Sequence, residues 1–484
     1  MLIAFVVLYL LVSVAIGLLA ARRVHNTADY AVAGRSLPLA IVIATTFATW
    51  FGAETVLGVS ARFVSGGLGS VVEDPFGASM CLVLVGLFFA YKLYQKNLIT
   101  LGDYYRQRYG RTIEVLCSVM IIFSYLGWVA AQITALGLVF NLLTQGALSI
   151  PAGMVIGTTI VLVYTLYGGM WSVALTDFVQ MIVIALGLIA IAVFAADLAG
   201  GAGKVFEYAA REGKFQFFPT GGARDWTFFF AAAITMMLGS IPQQDVFQRV
   251  MSSKNAQIAV RGPVIGGTLY LLFAMIPMFV VTAAVMVLGD AGQALLSEDP
   301  QKVLPTLVMT RMPLILQIAF FGALLSAIMS TASATLLAPS TAFVENILRN
   351  IVPGMSDKAT LKAMRISVLV FTVIVLMYAI AMQGTSIYEL VSGAYQVPLV
   401  GAFTPLVFGL YWKRATTQGA LASVVLGLGT WLVFMLTPAL SQAFPQQLAG
   451  LLAALAGMVL GSLLPQRVED HKGHVHHYEG SAAA

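Results

Sequence analysis

Charge is what this sequence is short of. Only 10% of its 484 residues are Asp, Glu, Lys or Arg, against 59% hydrophobic, whereas soluble domains carry about 25% charged residues. Mean hydropathy is +0.90, so there is too little charge to cover the surface of a water-soluble domain of this length, and most of the chain has lipid as its solvent. Cysteine is nearly missing. Cys81 and Cys117, the two present, lie in apolar runs and read as reduced thiols packed in the membrane. Long polar stretches are missing too, which leaves one integral-membrane domain, about residues 1–465. A net charge of +5 makes no basic domain for nucleic acid, because Lys and Arg are scattered between apolar spans. Neither a phosphate-binding loop nor a nucleophile constellation occurs, which argues against ATP use and covalent catalysis and against an enzyme. Of the five histidines, His471, His474, His476 and His477 crowd a C-terminal tail, 466–484, read as flexible, solvated and cytoplasmic rather than metal-binding.

What is there is apolar length. Windows of about 20 residues predict thirteen transmembrane helices near 2–21, 38–60, 70–91, 113–143, 151–169, 173–198, 226–248, 262–289, 314–346, 366–383, 387–411, 416–437 and 446–464. With the N-terminus outside, nineteen of the 26 Lys and Arg residues fall on the cytoplasmic side and seven outside, the asymmetry that orients membrane proteins. The first span lacks a basic leader and a small-residue cleavage site, so it reads as a helix and not a signal peptide.

Two segments interrupt this regularity: Ala48-Thr49-Trp50-Phe51-Gly52-Ala53-Glu54 in the second span and Leu238-Gly239-Ser240-Ile241-Pro242-Gln243-Gln244-Asp245 at the end of the seventh. They are five spans apart, an odd number, so they cross the bilayer in opposite directions. Broken helices at matching positions of two inverted halves mark the solute and ion site of secondary transporters.

An ionised carboxylate at mid-membrane costs roughly 3 kcal/mol, so Glu54, Asp177 and Asp245 each need a partner or a water-filled cavity. Asp177 reads either as an interfacial cap near the start of the sixth span or as part of an ion path. Glu54 is either a vestibule residue or part of the site. Asp245 has ion-pair spacing to Arg249. The densest polar cluster in an apolar span is Ser326-Ala327-Ile328-Met329-Ser330-Thr331-Ala332-Ser333-Ala334-Thr335. Such hydroxyls can bond back to their own helix, or join carbonyls freed at a break in a neutral oxygen cage for sodium, a hard cation.

At these residues the chain resembles the sodium/solute symporter family. Thr165-Leu166-Tyr167-Gly168-Gly169 running on to Thr176-Asp177-Phe178-Val179-Gln180, the Met329-Ser330-Thr331 cluster and Gly409-Leu410-Tyr411-Trp412-Lys413-Arg414-Ala415-Thr416 carry the resemblance. It implies two inverted five-helix repeats, about 38–198 and 226–411, with one extra helix before and two after. It also implies a sodium site from Ala48 and Phe51 carbonyls with Ala327, Ser330 and Thr331. A second ion path would use Asp177 and Ser333, although Ala334 stands where another hydroxyl is expected. Locally, Thr49-Trp50, Trp128 and Phe247-Gln248-Arg249-Val250-Met251-Ser252-Ser253 are similar to segments of high-affinity choline transporters. That similarity makes Trp50, Glu54, Trp128 and Gln243 the candidate substrate residues, with Gln243 in place of a third tryptophan.

The expected protein is therefore an all-α, multi-pass protein of the cell (inner) membrane. It imports a small polar organic solute, an amino acid or a quaternary-ammonium or zwitterionic compound, with Na+ as coupling ion and no organic cofactor. Its partners are the solute and the lipid bilayer, with no obligate protein partner. The alternatives are a transporter-like sensor and a proton-coupled or uncoupled facilitator.

Overall fold

The computed structural model describes residues 1–469; the tail histidines lie outside the described residues. Regular structure there is helical, with one isolated bridge between Leu37 and Ser253. Among the described residues ten helices are long and apolar enough to cross a membrane, and two bent pairs raise the number of spans to as many as twelve. Helix starts carry their own signals. Asn255, Ser356 and Thr416 each accept a hydrogen bond from the backbone N–H three residues on, and Thr100 and Asp103 form a reciprocal capping box that starts the short helix Leu101–Tyr109.

Large apolar side chains cover much of the outside, and polar and charged side chains are buried among the apolar core. Leu11, Leu186, Val193 and Leu436 are 63–74% exposed, as side chains facing lipid must be, while Glu54, Asp177, Arg249, Ser330 and Thr331 are buried. The central element is helix Leu314–Phe343, buried at every residue from Ala323 to Ala342. Its run of Ala, Ser and Thr lets Ile150–Leu198, Arg111–Leu143 and Leu39–Trp50 approach closely.

Both expected breaks are present. Leu39–Trp50 and Glu54–Gly66 meet at 54°, and Ala223–Gly239 and Gln244–Ser252 at 44°. At the first, Phe51 leaves helical geometry (φ −87, ψ 72). At the second, the turn runs through Pro242 to an extended Gln243 (φ −89, ψ 140). The spans expected at 151–169 and 173–198 belong to one stretch, Ile150–Leu198, interrupted at Gly169 (φ 49, ψ −137). Only glycine suits this turn, because a Cβ there would lie 2.4 Å from the Tyr30 carbonyl oxygen. The region 199–225, between two expected spans, holds the helix Ala202–Arg211, which tucks Val205 and Ala209 inward at a spacing of four.

Candidate functional site

The first break frees backbone oxygens. The Ala53 N–H, which would continue the helical ladder to the Thr49 carbonyl, goes instead to Gln132 Oε1 at 2.9 Å. Two hydroxyls of the central helix take the freed carbonyls. Ser330 Oγ donates to Ala48 O at 2.6 Å and lies 2.9 Å from Ala327 O; Thr331 Oγ1 donates to Thr49 O at 2.8 Å and lies 3.5 Å from Ala48 O. Their neighbours behave differently. Ser326, Ser333 and Thr335 turn back on Gly322, Ser330 and Thr331 carbonyls of their own helix. Four of the five expected oxygens thus converge; the Phe51 carbonyl accepts from neither hydroxyl, and Thr49 O joins the group instead.

Asp177 is not a helix cap. It is fully buried within Ile150–Leu198, and its Oδ2 accepts from Thr45 Oγ1 at 2.6 Å and Thr49 Oγ1 at 3.4 Å. Window hydropathy shows that a residue lies near a span's end, not which way the helix turns it. Asp177 and Ser333 are not joined, since Ser333 bonds its own helix. The expected Asp245–Arg249 ion pair is absent: Arg249 Nη1 donates to the Asp245 backbone carbonyl at 2.9 Å and Nη2 to Thr49 Oγ1 at 2.7 Å, while Tyr125 Oη donates to Asp245 Oδ1 at 2.5 Å. Helical spacing of four permitted the pair, but Thr49 and Tyr125 compete successfully for both ends. Thr49 therefore faces two ways, its carbonyl toward Thr331 and its hydroxyl between Arg249 and Asp177.

The other half of the site is aromatic. Trp50 and Trp128 are buried, their rings 5.5 Å apart; Tyr395 lies 5.6 Å from Trp128 and 6.1 Å from Trp50, and Tyr125 stacks on Trp128 at 6.1 Å. Glu54 is also buried, and is no vestibule residue. Its Oε1 accepts from Trp128 Nε1 at 2.8 Å and its Oε2 from Gln132 Nε2 at 2.6 Å. Gln243 Nε2 donates to Ser124 Oγ at 2.8 Å. Several buried polar atoms around the two breaks have no protein partner: Trp50 Nε1, Gln243 Oε1, Asp245 Oδ2 and Tyr395 Oη. Buried polar atoms are rarely left so.

The model of the sodium:solute symporter family matches residues 30–427. The chain belongs to that family. Symporters of this family are transporters and not enzymes, and this one is a multi-pass membrane protein coupled to sodium. It is 30% identical over 445 residues to the human high affinity choline transporter 1, covering 88% of this chain and 75% of that one. It is 27% identical over 462 residues to the high-affinity proline transporter PutP of Bacillus subtilis strain 168, covering 93% and 95%. Its fold is similar to that of a substrate-bound, outward-open Na+-coupled sialic acid symporter, with a TM-score of 0.81 at 18% identity over 95% of this chain and 97% of the other.

Sequence reasoning missed Tyr125, Gln132 and Tyr395. The first two could have been found, because Ser124, Tyr125, Trp128 and Gln132 fall on one face of Arg111–Leu143 at helical spacing. Tyr395 gives no such signal. Its place at the site depends on Gly239, where a Cβ would sit 2.5 Å from the Tyr395 carbonyl oxygen.

Proposed function

We propose that this symporter imports a small quaternary-ammonium or zwitterionic compound, with sodium bound by Ala48, Phe51, Ala327, Ser330 and Thr331 at the first break. The observation that carries the ion assignment is that Ser330 and Thr331, alone in their hydroxyl-rich stretch, reach out of their helix to carbonyls of the broken one. The oxygens present fit the ion. Calcium, close to sodium in ionic size, takes oxygens at about 2.3–2.6 Å, so neighbouring ligands lie about 3–3.5 Å apart; those here are 2.6–3.5 Å apart and need only a small expansion. In the bound state the hydroxyls turn their lone pairs inward, and Phe51 O completes the shell.

Trp50 and Trp128, with Tyr395 and Tyr125, are the walls for the solute's cationic end, an arrangement worth about 2 kcal/mol or more when desolvated. Glu54 supplies the countercharge, and the Gln243 amide takes a hydrogen-bonding group on the solute. The rings now face one another, so loading requires them to part. The names of two relatives, a choline and a proline transporter, support an amino-type solute.

The reading extends to layout. Ile150–Leu198 has 49 residues, more than twice the roughly 20 that one span needs. Taking its legs on either side of Gly169 as two spans, with each bent pair as one, supports thirteen. These form a single transporter domain over 1–465 with repeats at about 38–198 and 226–411, N-terminus outside and C-terminus cytoplasmic. Rocking of one bundle against the other would expose the site alternately to each side. One charge moving through about 100 mV contributes roughly 2.3 kcal/mol, and a tenfold sodium gradient about 1.4, enough for roughly a 500-fold solute gradient per sodium.

The test is uptake into proteoliposomes of radiolabelled choline, betaine, proline, alanine, histidine, acetate and glucose, with an inward sodium gradient or with potassium in its place. Accumulation of choline, betaine or an amino acid with sodium alone is the expected result. Uptake indifferent to sodium, or accumulation of acetate or glucose only, overturns it.

A further inference from the structure

Beyond the first break the chain re-enters a helical turn at Glu54 and Thr55. Thr55 Oγ1 donates to the Trp50 carbonyl at 3.3 Å and lies 3.0 Å from Tyr270 Oη. Tyr270 in turn donates to Asp74 Oδ1. These groups come from three elements: the first broken helix, the span Leu68–Tyr94 and the span Ala256–Leu288. Thr55 and Tyr270 are fully buried, and Trp50 and Asp74 are 1% exposed.

Asp74 is the anomaly. Its Oδ2 has no hydrogen-bond partner, and Asp74 takes part in none of the ion pairs among the described residues. A carboxylate held away from water with one bare oxygen needs a cation or a proton. The bare oxygen shares its carboxyl carbon with the one bonded to Tyr270, so Asp74 ends a connected cluster of buried oxygens. That cluster consists of a carbonyl freed by the break, two hydroxyls and one carboxylate: a hard, all-oxygen set with a single formal charge.

We propose that the Trp50 carbonyl, Thr55, Tyr270 and Asp74 form a second site for a monovalent alkali cation, sodium in this symporter. The single charge of the donor set matches one such ion. Among the described residues no group of three or more His, Cys, Asp or Glu side chains could hold a metal ion, which disfavours a divalent occupant here. Binding replaces the Tyr270 hydroxyl proton as the charge facing Asp74, and both hydroxyls turn their lone pairs to the ion. The inference rests on the first sodium site in one respect. Trp50 follows Ala48 by two residues, so two ions would be held by neighbouring carbonyls of one interrupted helix, on opposite sides of it.

Equilibrium binding of radioactive sodium to the purified full chain tests this without any knowledge of the solute. The expected count is about two ions per chain, falling to about one in Asp74→Asn, Tyr270→Phe and Thr55→Val and restored in Thr55→Ser. Ser330→Ala should lose the other ion. Should Asp74→Asn fail to fold, Tyr270→Phe and Thr55→Val, which nearly keep side-chain volume, decide the matter. A single ion in the unaltered chain that is lost in Ser330→Ala but kept in Asp74→Asn, Tyr270→Phe and Thr55→Val overturns the second site and leaves the first standing. A count of two that none of the three substitutions lowers also overturns it. No sodium bound by the unaltered chain removes both.

Discussion

Ser330 and Thr331 each stand where a hydroxyl can serve its own helix or another, and they serve another. Removing either hydroxyl leaves a buried carbonyl at the break without its donor and takes one oxygen from the proposed ion site. Ser330→Ala and Thr331→Ala are each expected to raise the sodium concentration for half-maximal uptake tenfold or more, about 1.4 kcal/mol, while Thr331→Ser leaves it within about threefold; sodium titration of uptake reads this. Gly52 has no such latitude. A Cβ there would lie 2.4 Å from Glu54 Oε2, 2.6 Å from Thr331 Oγ1 and 2.9 Å from Gln132 Oε1, so Gly52→Ala forces three polar groups of the site apart. It should cost about 1–3 kcal/mol and abolish uptake; a melting temperature and an uptake rate both at the unaltered values would refute the crowding argument.

At the scale of elements, the short helix Leu101–Tyr109 is tied to the turn Val344–Leu348 that follows the central helix. Asn346 Nδ2 donates to Asp103 Oδ1 at 3.1 Å and to Glu114 Oε1 at 3.0 Å, and a Cβ on Gly102 would collide with the Asn346 side chain. Asn346→Leu leaves both carboxylates short of a donor and is expected to destabilise the protein by about 1–3 kcal/mol, measured as a lower melting temperature with the sodium titration unchanged. How far elements were legible in the sequence follows from what each residue type costs in lipid. The breaks at 48–54 and 238–245 stood out because Gly, Pro and carboxylates interrupt apolar runs. The hydroxyl stretch 326–335 stood out for its density, but only the structure separates Ser330 and Thr331 from Ser326, Ser333 and Thr335, since direction on a helix decides it. Asp74 lies close to where its span was expected to begin, at 70, so it could pass for a boundary charge. Tyr395 is one aromatic in an apolar run, with nothing to set it apart.

For the whole molecule, an ion at the proposed site would link the helices Leu39–Trp50 and Leu314–Phe343, which otherwise meet through packing and the Ser330 and Thr331 hydrogen bonds. A ligand that binds only the folded form adds about 2.7 kcal/mol at a hundredfold excess over its Kd, so sodium chloride should raise the melting temperature of the purified protein relative to potassium chloride. Ser330→Ala should erase most of that rise, and an equal rise in both salts would argue against an ion-built core. Thr49 lies in the middle of this linkage, its carbonyl beside Thr331 and its hydroxyl bonded to Arg249 and Asp177. A single residue that is both lever and latch has no slack. A shift of its backbone carries its side chain along, so a small cation arriving on one face, as proposed, would be felt by a buried charge on the other.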